Sequence, residues 1–406
     1  MNCGLLGKSL KHSYSPQIHR FLGEYAYHLF EREPEELQDF ILNRDYTGLN
    51  VTIPYKKEVI PFCTELTERA KKLGSVNTIV KRADGSRIGH NTDYFGFRSM
   101  VEQMNLSLNG KKVLVLGSGG ASVTAVAVME ELGAKTVVIS RTGTNHYGNL
   151  YLHKDASVIV NTTPVGMYPN AGLSPINLDL FPQLEGVLDI VYNPARTRLL
   201  LDAEERNIPC MNGLWMLIAQ AKEASEWFTG EKICDDIIET IHTALKTQME
   251  NIILIGMPGC GKSTVGKLLS QRLGKPFVDT DAEIEKLAGM PIPQIFAQQG
   301  ENAFREWETA VLKALGQQSG LIVATGGGCV TRPENYALLH QNGTVFWLQR
   351  EISALATDGR PLSKSGNLKQ MYQHRKPMYE RFADCAICND GTAEETAEQI
   401  IKRYTL

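Results

Sequence analysis

The sequence predicts an α/β protein in which a parallel, doubly wound sheet is built twice. Two glycine-rich turns support this, because each follows a continuous apolar strand and opens a helical stretch. The first turn lies in KKVLVLGSGGAS and the second in NIILIGMPGCGKST. Since the strand–turn–helix pattern restarts at the second turn, we expect a domain boundary near Glu250.

Length and composition limit the class of protein. At roughly 100 to 200 residues per domain, 406 residues predict two or three domains. The net charge of −3 gives no basic excess for nucleic acid or an anionic membrane. No apolar run is long enough to span a bilayer, and the first residues lack a signal-type apolar core. We therefore expect a cytoplasmic protein with small-molecule ligands.

The second glycine turn, Gly256–Ser263, fits the phosphate-binding pattern G-x-x-x-x-G-K-[ST]. Glycines let backbone amides curl around phosphate oxygens, and the helix N-terminus favours negative charge. Lys262 would reach the outer phosphates, and Ser263 would offer its hydroxyl to magnesium. A chance glycine turn with a surface lysine is the alternative, which the strand before and the helix after disfavour. The predicted nucleotide contacts are Gly259, Cys260, Gly261, Lys262, Ser263 and Thr264.

Acceptor-side residues follow this turn in order. Asp279 and Asp281 end the next strand; Asp279 would hold magnesium through water, and Asp281 would accept a hydroxyl proton. A carboxylate at a strand end often only caps a helix, so neither residue is decisive alone. The segments GENAFREWE, LIVATGGGCV, DGRPLS and HRKPMY then follow.

In this order the motifs resemble shikimate kinase, from the phosphate-binding turn almost to the C-terminus. The resemblance implies an ATP- and Mg²⁺-dependent kinase domain in which Arg305 and Arg375 clamp the shikimate carboxylate. It implies that Asp281 binds ring hydroxyls and orients the attacking one, with backbone contacts from Gly327. Arg360, on a short lid, would contact the nucleotide and stabilise charge on the transferring phosphoryl group.

The first glycine turn matches G-x-G-x-x-[small], which between a strand and a helix favours a dinucleotide site. The second strand ends in Ser140, Arg141 and Thr142 instead of an acid, which favours the 2′-phosphate of NADP(H). An incidental surface arginine is the alternative. The predicted dinucleotide contacts are Gly117, Gly119, Gly120, Ala121, Arg141 and Thr142.

Further motifs flank this turn: GKSLKHSYSPQIHR, GLNVTIPYK, GSVNTI and GHNTDYFG before it, and NTTPVGM, DIVYNPARTRLL and NGLWMLIAQA after it. Together they resemble shikimate dehydrogenase from Met1 to about Leu245. The resemblance implies that Ser13 and Ser15 bind the substrate carboxylate and that Gly213 contacts the cofactor. The implied contacts to the hydroxyls and flanking groups are Thr52, Asn77, Asp93, Tyr192 and Gln220.

The resemblance also makes Lys56 and Asp93 the catalytic pair. When hydride reaches a ketone, the developing alkoxide needs a proton, which an ammonium held by a carboxylate can donate. A solvated surface lysine is the alternative. The chain departs from the family pattern at Ser140, where asparagine is common, and in the short stretch from Thr142 to Asp155, where a family helix is expected to be missing.

These expectations combine into a bifunctional shikimate-pathway enzyme. Residues 1–95 would form a dehydrogenase substrate domain, 96–220 a Rossmann-type NADP domain, and 250–406 a P-loop kinase domain with a parallel sheet; helices at about 221–247 would return to the first domain. Two alternatives stay open, a quinate/shikimate dehydrogenase that prefers NAD and a metabolite-binding regulator with one inactive head. The sequence leaves the oligomeric state undetermined.

Overall fold

The chain folds into two compact units, Met1–Thr243 and Ala244–Leu406. The computed structural model describes residues 1–10, 13–169, 171–355 and 368–404. The division falls within one continuous helix, Asp236–Met249, so the new strand expected after Glu250 begins directly at the end of that helix. None of the helices in the described ranges is both long and apolar enough to cross a membrane.

The first unit contains a mixed sheet of six strands in the order β2-β1-β3-β5-β6-β4. These strands are β1 (Asn2–Gly7), β2 (Ala26–Glu31), β3 (Gly48–Val51), β4 (Glu65–Leu66), β5 (Thr78–Lys81) and β6 (Arg87–His90). β1 lies parallel to β2 and β3, whereas β5 runs antiparallel to β3 and β6. Leu6, Leu49 and Ile79 are fully buried in the core beside this sheet.

The second sheet of this unit is parallel, in the order β11-β10-β9-β7-β8. Its strands are β7 (Lys112–Leu116), β8 (Lys135–Ile139), β9 (Val158–Asn161), β10 (Gly186–Asp189) and β11 (Cys210–Met211). From β7 the chain passes to β8 on one side and then to β9 on the other. Ligands of open α/β sheets bind at the carboxyl ends of strands where the order reverses in this way.

Eight helices in the described residues begin within the first unit. They are α1 (Ser15–Leu22), α2 (Leu37–Asn43), α3 (Glu68–Leu73), α4 (Asp93–Gln103), α5 (Gly120–Glu131), α6 (Arg198–Glu204), α7 (Leu214–Thr229) and α8 (Asp236–Met249). The stretch expected to lack a helix forms a 3₁₀ segment at Tyr147–His153. The expected division between residues 95 and 96 falls inside α4. The helix α7, which packs on α1, β3 and β5, begins at Leu214, whereas the return to the first domain was expected from about residue 221.

The second unit contains a parallel sheet in the order β13-β14-β12-β15-β16. Its strands are β12 (Asn251–Ile255), β13 (Phe277–Asp279), β14 (Ile322–Ala324), β15 (Gly343–Gln349) and β16 (Cys385–Cys388). Its helices in the described residues are α9 (Lys262–Leu273), α10 (Thr280–Ala288), α11 (Ile292–Gly316), α12 (Asn335–His340), α13 (Leu368–Phe382) and α14 (Ala393–Tyr404). β12 is the third of the five strands and is buried along its whole length, so the turn that follows it lies at the middle of the sheet edge.

Candidate active sites

The first unit contains a partly exposed lysine–aspartate pair. Lys56 follows β3, and its Nζ donates to Oδ2 of Asp93 at 2.5 Å. Asp93 is the first residue of α4, where the helix N-terminus stabilises a carboxylate. The side chains are 30% and 17% exposed, so the pair is accessible to a ligand but only partly hydrated. The pair is therefore neither buried core nor a solvated surface contact.

Amide side chains hold this pair from the buried side. Nδ2 of Asn77 donates to Oδ1 of Asp93 at 3.0 Å and to Oε1 of Gln220 at 3.4 Å. Oδ1 of Asn77 accepts the backbone N–H of Thr92 at 2.7 Å. Because Asn77 donates to Oδ1 of Asp93, the other oxygen, Oδ2, accepts from Lys56. The structure thus brings together Lys56, Asn77, Asp93 and Gln220, which the family resemblance assigned to one site.

The residues expected to bind the substrate carboxylate lie at the start of α1. The Ser15 backbone N–H donates to Oγ of Ser13 at 3.3 Å, which shapes the turn before the helix. Between them, the Tyr14 ring meets that of Tyr192 edge to face, with centroids 6.0 Å apart. Thr52 lies between β3 and Lys56, and its N–H donates to the carbonyl of Leu6 at 2.9 Å.

The first glycine turn lies at the strand-order reversal of the second sheet. Gly117 directly follows β7 and has φ +107°, and a Cβ there would lie 2.9 Å from Oγ1 of Thr162, just after β9. Gly119 caps α5 and Gly120 begins it, and both have open space where a Cβ would be. This is the geometry that lets a pyrophosphate approach a helix N-terminus. The turn, with Ala121 in the first turn of α5, therefore fits a dinucleotide.

Arg141 and Thr142 follow the adjacent strand, β8, at the same edge of the sheet, and both are exposed. Oγ of Ser140 donates to the carbonyl of Thr142, which closes the turn without engaging the Arg141 side chain. An exposed guanidinium at this position suits a ribose phosphate. Gly213, the other predicted cofactor contact, is required by packing, because a Cβ there would collide with the carbonyl of Ile190.

In the second unit, the phosphate-binding turn lines a cavity of about 340 Å³. Gly259 and Gly261 have φ +82° and +95°, backbone conformations that side chains rarely adopt. Lys262 begins α9, and its Nζ donates to the carbonyls of Gly256 and Met257 at 2.9 and 3.0 Å. The ammonium is thus held over the turn. Cys260 is buried, whereas Ser263 and Thr264 join the cavity lining.

The magnesium-site candidates meet directly. Oγ of Ser263 donates to Oδ2 of Asp279 at 2.6 Å, while Oδ1 of Asp279 accepts the N–H of Asp281 at 3.0 Å and caps α10. Asp279 therefore does cap a helix, and its other oxygen faces the phosphate-binding turn. Hard oxygen ligands of this kind suit Mg²⁺, which keeps several of its waters.

Arg305 and Glu308 form a buried ion pair on α11, with Nη1 to Oε2 at 2.8 Å. Burial raises the pKa of the Glu308 carboxyl, a shift that Arg305 opposes and Asp281 reinforces. A Cβ at Gly326 would lie 2.6 Å from Oε1 of Glu308 and 3.0 Å from Oδ1 of Asp281. The glycines after β14 thus let the backbone approach these carboxylates closely.

Arg375 extends from α13 to the same loop, where its Nη1 donates to the carbonyl of Gly327 at 3.1 Å. The Tyr379 hydroxyl donates to the same carbonyl at 2.5 Å. Arg305 and Arg375 both line the cavity, so two guanidinium groups share it with the phosphate-binding turn. Arg360 lies outside the described residues.

Sequence reasoning missed three residues of these sites. Thr92 joins Asn77 to Gln220, since its Oγ1 lies 3.3 Å from Oε1 of Gln220. Glu308 was detectable because it lies three positions after Arg305, the spacing of helix neighbours. Arg350, which follows β15 and lines the kinase cavity, carried no local signal.

The fold and the two sites define an α/β enzyme that joins a dinucleotide-dependent oxidoreductase to a P-loop phosphotransferase. A family model for the shikimate dehydrogenase substrate binding domain matches residues 5–79, and one for shikimate kinase matches residues 258–405. The chain belongs to the shikimate dehydrogenase family over its first unit and carries a shikimate kinase domain in its second. The predicted resemblances, fold class and pair of activities are confirmed.

Three relatives illustrate the match, and each matches only part of the chain. The "Shikimate dehydrogenase (NADP(+))" of Caldicellulosiruptor bescii is 37% identical over 256 residues, covering 55% of this chain and 88% of that protein. The crystal structure of shikimate dehydrogenase 1 from Peptoclostridium difficile superimposes with a TM-score of 0.56 at 36% identity, covering 61% of this chain and 98% of that chain. Quinate dehydrogenase from Corynebacterium glutamicum, in complex with NAD, gives a TM-score of 0.54 at 27% identity, covering 60% and 98%.

Proposed function

We propose that this bifunctional shikimate-pathway enzyme reduces 3-dehydroshikimate to shikimate with NADPH in its first unit. The observation that carries this is the Lys56–Asp93 contact, held by Asn77 in a partly exposed site. NADPH supplies the hydride. Lys56 donates a proton to the alkoxide that forms as hydride adds to the ketone carbon, and water then restores its proton. Asp93 orients the ammonium and stabilises its charge.

The remaining residues of the first site bind and orient the substrate. Asn77 and Gln220 offer amide groups beside the catalytic pair, where ring hydroxyls need both donors and acceptors. Ser13 and Ser15 would bind the carboxylate from the start of α1. Thr52 and Tyr192 would complete the site, and burial raises the pKa of the Tyr192 phenol.

The second unit would phosphorylate shikimate with ATP. Asp281 accepts the proton of the attacking hydroxyl, and Lys262 stabilises negative charge on the transferring phosphoryl group. Ser263 and Asp279 are the residues that would hold Mg²⁺, which neutralises phosphate charge. Arg305, Arg375 and the backbone of Gly327, which line the same cavity as the phosphate-binding turn, would bind the shikimate. Arg360 would contact the nucleotide and stabilise charge on the transferring phosphoryl group.

NADP rather than NAD is the proposed dinucleotide, because the exposed Arg141 at the end of β8 suits a 2′-phosphate. The likeness to quinate dehydrogenase supports an alternative, in which the first unit acts on quinate with NAD. The ratio of kcat/KM for dehydroshikimate with NADPH to that for dehydroquinate with NADH separates them. A ratio below one would replace the proposed substrate and cofactor.

We also propose that each catalytic activity belongs to one unit, with the kinase formed by residues 250–406. The first unit would comprise the substrate domain 1–95 together with the returning helices, and the NADP domain 96–220. Packing of α7 on α1, β3 and β5 supports the return of the C-terminal helices to the substrate sheet.

One coupled assay tests both activities on the full chain. Dehydroshikimate, NADPH, ATP and Mg²⁺ are mixed, NADPH oxidation is followed by its absorbance, and the products are separated by chromatography. We expect shikimate 3-phosphate with all components and shikimate when ATP is omitted. Without NADPH, neither product should form from dehydroshikimate. Phosphorylation of added shikimate without reduction of dehydroshikimate would overturn the dehydrogenase assignment alone.

A further inference from the structure

A third arginine lines the kinase cavity, and neither the acceptor site nor the phosphate-binding motif includes it. Arg350 is the first residue after β15, and it shares the 340 Å³ cavity with Lys262 and Ser263. Arg305 and Arg375 are tied to the glycine loop after β14 instead. Arg350 therefore calls for a separate explanation.

The sheet fixes Arg350 beside the phosphate-binding turn. β15 is hydrogen-bonded to β12 with Ile255 opposite Trp347, so both strands end at the same edge. A Cβ at Gly256 would lie 2.6 Å from the carbonyl of Leu348, which shows how closely the turn packs against the end of β15. The position of Arg350 follows from strand register.

Its guanidinium lies next to the N-terminus of α9. A Cβ at Gly261, the residue before the helix, would lie 3.8 Å from Nη1 of Arg350 and 2.8 Å from Nδ2 of Asn389. Asn389 also donates to the carbonyl of Cys260 at 2.5 Å, which anchors this side of the turn. Arg350 thus adds a formal positive charge where the helix N-terminus already favours anions.

One nitrogen of the Arg350 guanidinium is left unsatisfied by the described part of the chain. Nε of Arg350 is buried and has no hydrogen-bond partner among the residues that the structure describes. A buried donor without a partner costs free energy, and at a functional site such a cost points to a ligand that offsets it. A planar guanidinium pairs best with a phosphate or carboxylate.

We propose that Arg350 binds the polyphosphate chain of the nucleotide, as a phosphate ligand additional to the P-loop lysine. Its place beside Gly261, on the side of Asn389, assigns it to the phosphates that the turn encloses rather than to the shikimate carboxylate. Being attached to the end of a central strand, it holds the diphosphate both before and after phosphoryl transfer. This inference rests on the proposed use of ATP by the second unit.

The test uses the full chain with three variants, Arg350→Gln, Arg350→Lys and Arg272→Gln. Arg272 is exposed at the far end of α9, so its variant removes the same charge away from the cavity. Calorimetric titration with ADP should show about tenfold weaker binding for Arg350→Gln, the loss expected for one charge-assisted hydrogen bond. The ADP affinity of Arg350→Lys should lie between those of Arg350→Gln and the unsubstituted chain. The ADP affinity of Arg272→Gln should equal that of the unsubstituted chain.

Adenosine and shikimate separate the direct role from a structural one. Affinity for adenosine, which lacks phosphate, and the KM for shikimate should stay unchanged in Arg350→Gln. An unchanged ADP affinity, or an equal loss for ADP and adenosine, would overturn the inference. If Arg350→Gln does not fold, judged by its thermal transition without ligand, Arg350→Lys decides by the same comparison. Failure of the unsubstituted chain to phosphorylate shikimate would overturn the proposed function, while the ADP titrations would still test Arg350.

Discussion

Nζ of Lys56 lies 2.5 Å from Oδ2 of Asp93, although the two residues are 37 positions apart in the chain. Lys56 lies in the loop after β3, and Asp93 is the first residue of α4, the helix that follows β6. Asn77 fixes the other oxygen of the carboxylate, so the ammonium is oriented before a ketone arrives. Catalytic geometry of this kind is set by three separate elements.

Replacing Lys56 by Ala should therefore lower kcat for dehydroshikimate reduction by about 10²- to 10⁴-fold, the usual range for loss of a general acid. The KM for dehydroshikimate should change less, because Asn77 and Gln220 remain. Lys57→Ala, at the exposed neighbouring position, is the control and should keep the full rate. Shikimate phosphorylation by both variants should be normal. A Lys56→Ala enzyme that still reduces its substrate would show that another group donates the proton.

The local parts of both sites could be predicted from the sequence, because a glycine turn between an apolar strand and a helix is encoded within about a dozen residues. Contacts across the topology could not be derived in this way. Asn77 and Gln220 are joined over 143 positions, and only the family resemblance put them together. Arg350 has no motif of its own, since its place depends on the register of β15 against β12.

Arg141 should contribute selectively to NADPH binding. Its substitution by Gln should raise the KM for NADPH about tenfold, as expected for loss of one charge-assisted contact to a phosphate. Activity with NADH should stay the same as in the unsubstituted chain, because NADH lacks the 2′-phosphate. Lys135→Gln, at the opposite end of the same strand, controls for the loss of charge. Equal losses with both dinucleotides would argue for a structural role of Arg141.

Asp279 should govern the magnesium requirement of the kinase. Asp279→Asn keeps an oxygen that can cap α10, since Asn and Asp are equally good at that position, but removes the carboxylate charge. The Mg²⁺ concentration for half-maximal phosphorylation should rise about tenfold, in line with the strength of one charged oxygen contact. Dehydroshikimate reduction serves as the internal control. An unaltered Mg²⁺ dependence would leave Asp279 with only its capping role.

Asp189, at the end of β10, should make the stability of the first unit depend on pH. It is fully buried, and burial raises the pKa of its carboxyl from 3.8 to about 6. Three donors contact it: Nδ2 of Asn161 at 2.9 Å, the N–H of Val191 at 3.0 Å and Oγ1 of Thr197 at 2.7 Å. These contacts lower the pKa but do not offset the effect of burial.

Because the folded pKa lies above the unfolded value, the folded state binds the proton more tightly between about pH 4 and pH 6. The stabilisation from protonation is fully present below the unfolded pKa and is lost as pH rises through the folded pKa. The amide that replaces the carboxyl in Asp189→Asn does not titrate, so the variant should not lose this stabilisation. Between pH 5 and pH 7.5, its free energy of unfolding should therefore rise by about 1 kcal/mol relative to that of the unsubstituted chain. Scanning calorimetry of the first unit's transition, with NADPH absent, measures this gap. Asp155→Asn, which replaces an exposed carboxylate in the same way, should show no such gain. If the difference in free energy of unfolding between Asp189→Asn and the unsubstituted chain does not change with pH, Asp189 titrates below pH 5.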